Sequence, residues 1–182
     1  MFLTDKEILA YLKTENEKNY AFNQLIKKYQ ERVYWQARRM VVEHDDANDI
    51  TQNVFIKILT KIQDFRGDAN LYTWIYRIAV NETIDFLNKK RKRFYIPIIN
   101  VEAELERKID DPNEFSGDVI QKKLQKAILK LPVKQRIVFN FRYFEEKSYD
   151  EISKIVGTSV GGLKANYHHA VKKIEKFILK ED

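Results

Sequence analysis

At residues 65–81 the chain reads Phe65-Arg66-Gly67-Asp68-Ala69-Asn70-Leu71-Tyr72-Thr73-Trp74-Ile75-Tyr76-Arg77-Ile78-Ala79-Val80-Asn81. Its first six residues break a helical pattern, and apolar residues then recur at three- and four-residue steps from Leu71 to Ile78. That spacing is typical of one buried helix face. The stretch therefore predicts a loop over residues 65–70, followed by a helix that runs on to Leu87.

The same helical spacing appears on the N-terminal side of this stretch. It occurs in two sets of apolar residues: Phe22, Leu25, Ile26, Tyr29, Val33, Ala37, Met40 and Val41, then Ile50, Val54, Phe55, Ile58, Leu59 and Ile62. The second set follows an acidic start at Asp45, Asp46 and Asp49, which suits a helix N-terminus. With only 5 glycines and 3 prolines, the chain lacks the turn residues that a many-stranded β fold needs.

Composition narrows the classes of function. The chain has 182 residues, of which 44% are hydrophobic, enough to bury a core. Its net charge of +6 favours an anionic partner, either nucleic acid or lipid. Because there is no cysteine, disulfides, thiolate nucleophiles and sulfur-ligated zinc are excluded. No apolar run approaches the roughly 20 residues that cross a bilayer. We therefore expect a cytoplasmic protein without membrane insertion.

Residues 94–117 differ in character from the rest of the chain. They contain Pro97, Pro112 and Gly117, and their apolar residues show no sustained period. We interpret them as a flexible acidic linker; a short helix over Glu102–Ile109 is the alternative. The sequence thus predicts an all-α protein with two small helical modules, an N-terminal bundle over residues 1–93 and a C-terminal module over residues 118–182.

The C-terminal module has the spacing of a helix-turn-helix. Ser148 and Glu151 predict a capping box for a short helix that ends at Gly157, and Thr158 or Ser159 can cap the next helix. A short helix, a glycine-containing turn and a longer helix form this DNA-binding motif. An ordinary helical hairpin with a basic, solvated face has the same spacing and is the alternative. The residues that the second helix would present to DNA are Lys164, Ala165, Asn166, His168, His169 and Lys172.

A run of five bases ends the helix predicted after residue 70. Its members are Lys89, Lys90, Arg91, Lys92 and Arg93. One or two bases would complement the helix dipole, whereas five in a row repel one another unless an anion lies alongside. Tyr72, Trp74, Tyr76, Arg77 and Asn81 lie upstream, and aromatic residues beside cations are typical of single-stranded nucleic-acid binding. Trp74 is nevertheless in register with Leu71 and Ile78, which favours a core position.

The sequence offers no argument for catalysis, a metal or a cofactor. Asp45, Asp46 and Asp49 lack a glycine-turned loop and fit a helix start better than a metal site. His168 and His169 are adjacent, so on a helix they diverge by about 100° and cannot chelate one ion together.

These pieces together resemble the extracytoplasmic-function sigma factors, the small branch of the sigma-70 family. The resemblance spans about residues 19–179. The stretch 46–55 resembles the family's polymerase-binding segment, residues 65–81 resemble its −10-reading segment almost letter for letter, and Leu131-Pro132, Arg136 and the helix-turn-helix resemble its −35-reading domain. The resemblance implies core RNA polymerase, through its β′ clamp helices and β flap, promoter DNA and an anti-sigma factor as partners, and no enzymatic activity.

The resemblance also implies roles for individual residues. Asp46, Asp49, Gln52 and Phe55 would dock on the polymerase. The loop Phe65, Arg66, Gly67, Asp68, Ala69 and Asn70 would form a pocket for a flipped −10 base, lined also by Asn81. Tyr76, Arg77 and the five bases 89–93 would contact the −10 DNA, and Lys164, Ala165, Asn166, His168, His169 and Lys172 would contact the −35 element.

This chain departs from the commoner family pattern on the −35-reading helix. Family members often carry arginines there, whereas this chain has Lys164, Asn166 and two histidines, so bidentate arginine–guanine contacts are absent. The histidine pair could make promoter binding depend on pH.

Two other classes of protein remain as alternatives. A stand-alone helix-turn-helix regulator would bind duplex DNA by itself, usually as a dimer. A nucleic-acid enzyme would need clustered carboxylates or a nucleophile beside a base, and the acids here are scattered.

Overall fold

The computed structural model describes residues 3–14, 16–93, 107–111 and 118–179. In these ranges every regular element is a helix, as the sequence predicts. The elements are α1 (Asp5–Leu12), α2 (Lys18–Val41), α3 (His44–Lys61), a 3₁₀ turn (Ile62–Asp64), α4 (Leu71–Arg93), α5 (Val119–Leu129), α6 (Val133–Tyr143), α7 (Tyr149–Val156) and α8 (Val160–Ile178). Most of the expected linker lies outside the described residues.

The N-terminal module is a bundle in which α2, α3 and α4 pack on one another and α1 packs on α2. Its core contains Leu25, Val33, Ile50, Ile58 and Ile75, all of them buried. Most of the apolar positions expected from helical spacing in α2 and α3 are buried. Leu59 is an exception, because its side chain is 42% exposed.

The junction before α4 matches the loop and helix start expected from residues 65–81. Gly67 has a φ of +82°, a left-handed conformation that glycine adopts without steric cost. Asn70 caps α4, because its side-chain oxygen accepts a hydrogen bond of 2.8 Å from the Thr73 backbone. The helix continues to Arg93, six residues beyond the expected end at Leu87.

The C-terminal module contains the helix-turn-helix that the sequence predicts. Ser148 and Glu151 form the capping box at the start of α7, and Gly157 ends that helix with a φ of +70°. Ser159 caps α8 by accepting a hydrogen bond from the Gly162 backbone at 3.3 Å. Helix α8 packs on α5 and α6 through buried Ala170 and Ile174.

The two modules pack against each other, a feature that the sequence does not predict. One continuous apolar cluster joins residues of α1–α4 to Ile137, Phe141 and Ile152 of the C-terminal module. The buried Arg136 guanidinium donates hydrogen bonds to the Met40 carbonyl at the end of α2 and to the Leu129 and Leu131 carbonyls of its own module. This one cation therefore stabilises both the contact between the modules and the α5–α6 turn.

The part of the linker that the structure describes is also packed. Residues 107–110 form a helical turn, in which Ile109 is fully buried against Val42 and Leu129. Val42 has a φ of +68°, a strained backbone conformation for a β-branched residue. Residues 107–110 therefore do not form the flexible linker that we interpreted from the sequence. Their helical turn overlaps the end of the alternative stated above, a short helix over Glu102–Ile109.

We predict opposite effects for two glycine-to-alanine changes in the helix-turn-helix. Gly157→Ala places a Cβ on a left-handed residue and lowers the free energy of unfolding by about 1 kcal/mol. Gly161→Ala adds a methyl group in the first turn of α8, with no heavy atom within 4 Å of it, and raises the same free energy by about 0.5 kcal/mol. Urea unfolding followed by circular dichroism measures both.

The two variants add the same methyl group four residues apart and serve as controls for each other. A loss of stability from both changes, or from neither, would contradict the left-handed turn at Gly157.

Candidate functional site

The four residues of α3 that are expected to dock on the polymerase fall into two pairs, which differ in exposure to solvent. Asp49 and Gln52 are exposed. Phe55 is only 8% exposed and packs in the core, and Asp46 forms an ion pair with Lys90 within the chain. In this structure both side chains are engaged within the chain, and their docking role stays a prediction.

Two apolar residues that follow Asp49 and Gln52 along α3 are also exposed. Ile56 is 59% exposed and Leu59 is 42% exposed. Positions 49, 52, 56 and 59 are three or four residues apart, so they share one face of the helix. We call these four residues the α3 stripe. Sequence spacing missed Ile56 and placed Leu59 in the core.

Asp46 is tied to Lys90 of the basic run. The Lys90 ammonium lies 2.7 Å from an Asp46 carboxylate oxygen and 2.8 Å from one of Glu43. Burial lowers the pKa of Lys90, but the hydrogen bonds to the two carboxylates outweigh it and raise the pKa overall. Burial also raises the pKa of Asp46, although Lys90 opposes this effect. Lys90 therefore connects the end of α4 to the start of α3 in this structure, and its expected contact with DNA stays a prediction.

The other members of the basic run differ from Lys90. Lys89 and Lys92 are exposed on α4. The side chains of Arg91 and Arg93 lie outside the described residues, so their expected DNA contacts stay predictions.

The loop before α4 is largely exposed. Arg66, Gly67, Asp68 and Asn70 are exposed and Ala69 is half-buried. Phe65 packs on Trp74, with the ring centroids 5.3 Å apart. The loop is thus anchored at both ends, by Phe65 and by the Asn70 cap, and its middle faces outward.

Asn81 lies in a groove between α3 and α4. The groove has a volume of about 310 Å³ and is lined by Lys57, Lys61, Ile78, Asn81, Glu82, Ile84 and Asp85. Lys57 and Glu82 form an ion pair across it. Residues 65–70 do not line this groove. Asn81 therefore shares it with two lysines of α3 and not with the loop. Lysine, amide and carboxylate groups give the groove both donors and acceptors of hydrogen bonds.

Tyr76 and Arg77 do not form the open DNA-contact surface expected from the sequence. Tyr76 has an exposed fraction of 0%, stacks on Tyr72 with centroids 4.2 Å apart, and lies 5.9 Å from the Phe141 ring. Burial, reinforced by the Glu145 carboxylate, raises the pKa of Tyr76, so its hydroxyl stays protonated and donates to Glu145 at 3.4 Å. Arg77 is exposed, but its Nε donates to the Lys154 carbonyl at 2.6 Å. In this arrangement Tyr76 is a core residue between the modules.

The helix-turn-helix presents its expected face to solvent. Lys164, Ala165, His168, His169 and Lys172 are exposed along α8, and Asn166 is half-buried. The two histidine rings lie with their centroids 5.9 Å apart at an angle of 58°. This face carries cationic and hydrogen-bonding groups that suit phosphate and base edges.

Two family models match this chain, one in each module. A model described as Sigma-70 region 2 matches residues 25–93, and one described as Sigma-70, region 4 matches residues 121–174. The matched regions contain the groove of α3 and α4 and the helix-turn-helix, respectively.

Curated relatives cover nearly the whole chain. The ECF RNA polymerase sigma factor SigW of Bacillus subtilis is 30% identical, over 86% of this chain and 88% of its own length. The ECF RNA polymerase sigma-E factor of Escherichia coli is 31% identical, over 95% of this chain and 93% of its own length.

Solved structures share the fold at lower identity. CnrH in complex with the cytosolic domain of CnrY is 20% identical with a TM-score of 0.71, covering 98% of this chain and 99% of that one. RpoE in complex with the anti-sigma factor NepR from Bartonella quintana is 20% identical with a TM-score of 0.66, covering 86% of this chain and 96% of that one. Among the described helices, none is long and apolar enough to span a bilayer. From the identity and coverage of its relatives, the chain belongs to the extracytoplasmic-function group of the sigma-70 family and is an RNA polymerase sigma factor.

Proposed function

We propose that this sigma factor divides its task among three surfaces. The α3 stripe docks on core RNA polymerase, the groove of α3 and α4 with the loop 65–70 reads the −10 element, and the exposed face of α8 reads the −35 element. The observation that carries this proposal is the groove: it holds the exposed Asn81 amide together with two lysines and two carboxylates, and α4, which carries Asn81, follows an exposed loop.

The groove suits an unpaired base better than duplex DNA. A base that leaves the stack costs a few kcal/mol, and a shaped polar pocket returns that free energy selectively. Asn81 offers a donor and an acceptor to a base edge, and Lys61 offers a cation to the adjoining phosphate. Exposed Lys89 and Lys92, further along α4, extend the cationic surface for the strand backbone.

The α3 stripe suits a protein partner. Ile56 and Leu59 supply apolar area to bury, and the Asp49 carboxylate can pair with a cation on the partner. We assign this surface to the β′ clamp helices and the C-terminal module to the β flap, following the family resemblance. An anti-sigma factor would act by covering these surfaces; one of the solved relatives, RpoE from Bartonella quintana, is in complex with such a factor. The chain itself catalyses no reaction in this scheme and works in the cytoplasm, with the polymerase.

The two reading surfaces act together because they are on one chain. Each surface makes few base contacts and therefore binds DNA weakly alone. Once one surface has bound its promoter element, tethering on the polymerase raises the effective concentration of the other surface at its own element.

Run-off transcription tests this proposal. Purified core polymerase from the cognate organism, given genomic fragments, is expected to yield defined transcripts only when this protein is added, and their start sites give both promoter elements. Core polymerase alone is the control. An absence of transcripts, together with tight duplex binding by the protein alone, would instead establish the stand-alone regulator.

We predict that Asn81→Ala lowers discrimination at one −10 position. The change removes the amide that faces a flipped base, and each good base contact contributes about 1–3 kcal/mol, so we expect at least a fivefold loss of preference there. Transcription from promoters varied at each −10 position measures it. Binding to core polymerase is expected to be unchanged.

The matched control is Asn23→Ala, which removes an exposed amide from α2, a helix that contributes no residue to the proposed surfaces. Loss of core binding in Asn81→Ala, or equal effects of the two variants on base preference, would show that the groove does not read the −10 element.

We predict that Lys164→Gln weakens −35 binding through a lost phosphate contact. The slope of log affinity against log salt concentration then decreases in magnitude by about one. Titration of a −35 duplex with the polymerase holoenzyme at several salt concentrations measures the slope. Lys176→Gln, which removes a charge from an exposed position later on α8, is the control. Equal slopes for Lys164→Gln and the unaltered protein would place Lys164 off the DNA.

A further inference from the structure

The ring of Tyr149 connects α6, α7 and α8 of the C-terminal module. Tyr149 is the first residue of α7 and is half-buried. The Arg142 guanidinium of α6 lies 4.8 Å from the ring centre, and the Lys164 ammonium of α8 lies 5.9 Å from it. Tyr167, also on α8, packs on the ring in a T-shaped arrangement with the centroids 6.3 Å apart. One aromatic ring thus contacts two cations that come from different helices.

The position of the Tyr149 ring is determined by neighbours that are themselves fixed within the module. The Arg142 guanidinium donates a hydrogen bond from Nη1 to the Lys147 carbonyl, in the turn before α7. The Tyr167 ring stacks on Phe139 of α6 with the centroids 5.9 Å apart. Because these neighbours hold the ring, the ring can in turn restrict a flexible side chain that lies over it.

Lys164 is the flexible partner on this ring. Its side chain is exposed, and among the residues that the structure describes it has no carboxylate within ion-pair distance. A cation within about 6 Å of the centre of an aromatic ring is attracted to the ring face. A lysine side chain loses conformational freedom when it binds a ligand, and a side chain that is already restricted loses less. The Tyr149 ring therefore prepares Lys164 for binding an anion.

Lys164 differs in this respect from the other lysines of α8. Lys172, Lys173 and Lys176 are also exposed, but in the described part of the chain none of them lies over an aromatic ring. Lys164 is in the second turn of α8, and the N-terminal residues of a recognition helix are those that reach DNA. Tyr149 begins the first helix of the motif, which crosses the DNA backbone. The ring therefore holds a cation where we expect the motif to meet a phosphate.

We propose that Tyr149 is a positioning residue for −35 binding, whose ring holds the Lys164 ammonium in place for a phosphate of the −35 DNA. The inference rests on the proposed role of α8 in reading the −35 element. Arg142 and Tyr167 determine where the ring lies. Because Tyr149 acts through a phosphate contact, it contributes affinity and leaves the preferred −35 sequence unchanged.

The first measurement tests the contact in the free protein by NMR. In protein with isotope-labelled lysine, the ε-methylene protons of Lys164 are expected at higher field than those of Lys176, because the Tyr149 ring current shields them. Lys164→Gln identifies the signal by its absence. Tyr149→Phe keeps the shift, since it keeps the ring, and Tyr149→Leu removes it. A Lys164 signal without the shift, or a shift that Tyr149→Leu leaves in place, overturns the contact.

The second measurement is a double-mutant cycle on −35 binding. Polymerase holoenzyme with each variant is titrated with a duplex that carries the −35 sequence mapped by run-off transcription. We expect Tyr149→Leu to weaken binding about threefold, the change that corresponds to one cation–ring contact at an exposed site, and to have no further effect in the Lys164→Gln background. Lys172→Gln is the matched control, since it removes an α8 lysine without a ring contact. In that background the threefold loss is expected to remain.

A purely structural role for Tyr149 would give the same loss in all three backgrounds, and this result overturns the positioning role. Unimpaired binding by Tyr149→Leu overturns it as well. Tyr149→Phe is expected to bind like the unaltered chain, and a loss there would assign the effect to the hydroxyl group instead of the ring. Tyr149→Met, a second non-aromatic variant, replaces Tyr149→Leu if circular dichroism shows that the latter does not fold.

Failure of the proposed −35 role would be distinguishable from failure of this inference, because it appears with Tyr149 intact. Lys164→Gln alone would then leave both the −35 affinity and its salt dependence unchanged.

Discussion

The burial of Tyr76 is the contact on which the arrangement of the two modules depends. Its ring lies in the core of the N-terminal bundle, stacks on Tyr72 and meets Phe141 of α6. A buried tyrosine needs a partner for its hydroxyl, and Glu145 of the C-terminal module supplies it. Residues of the C-terminal module therefore complete the apolar core of the N-terminal module. Because the same residues lie beside the Tyr76–Glu145 hydrogen bond, the apolar and the polar contacts between the modules form or separate together.

The basic run at the end of α4 shows how one charge cluster serves two purposes. Lys90 pairs with Glu43 and Asp46, 44 or more residues earlier in the chain, and so joins the end of α4 to the start of α3. Lys57 and Glu82 connect the same two helices further along, beside Asn81. Lys89 and Lys92 remain exposed. In this run Lys90 thus joins α4 to α3, whereas Lys89 and Lys92 are available to bind an anion.

The sequence predicts the local elements of this protein well. Helical spacing, the Ser148–Glu151 capping box and the left-handed Gly157 are properties of neighbouring residues, so they can be read without a structure. The exposed face of α8 follows from the same periodicity. Each of these predictions concerns residues within about one or two helical turns of one another.

Contacts between distant segments were not predictable in the same way. An aromatic residue beside an arginine has the same local pattern whether it binds a base or packs on another module, and Tyr76 does the latter here. Lys90 looked like one base among five because its partners are remote in sequence. Leu59 fits the apolar spacing of α3, but it falls at the edge of the buried face, where its side chain is 42% exposed. In each case the deciding factor is the position of a segment far along the chain.

The three proposed surfaces differ in how the packing of the two modules affects them. The α3 stripe and the reading face of α8 are exposed while the modules are packed together, whereas the side of α4 that carries Tyr76 is covered. Docking on a polymerase through α3 therefore does not require the modules to separate, but access to Tyr76 does.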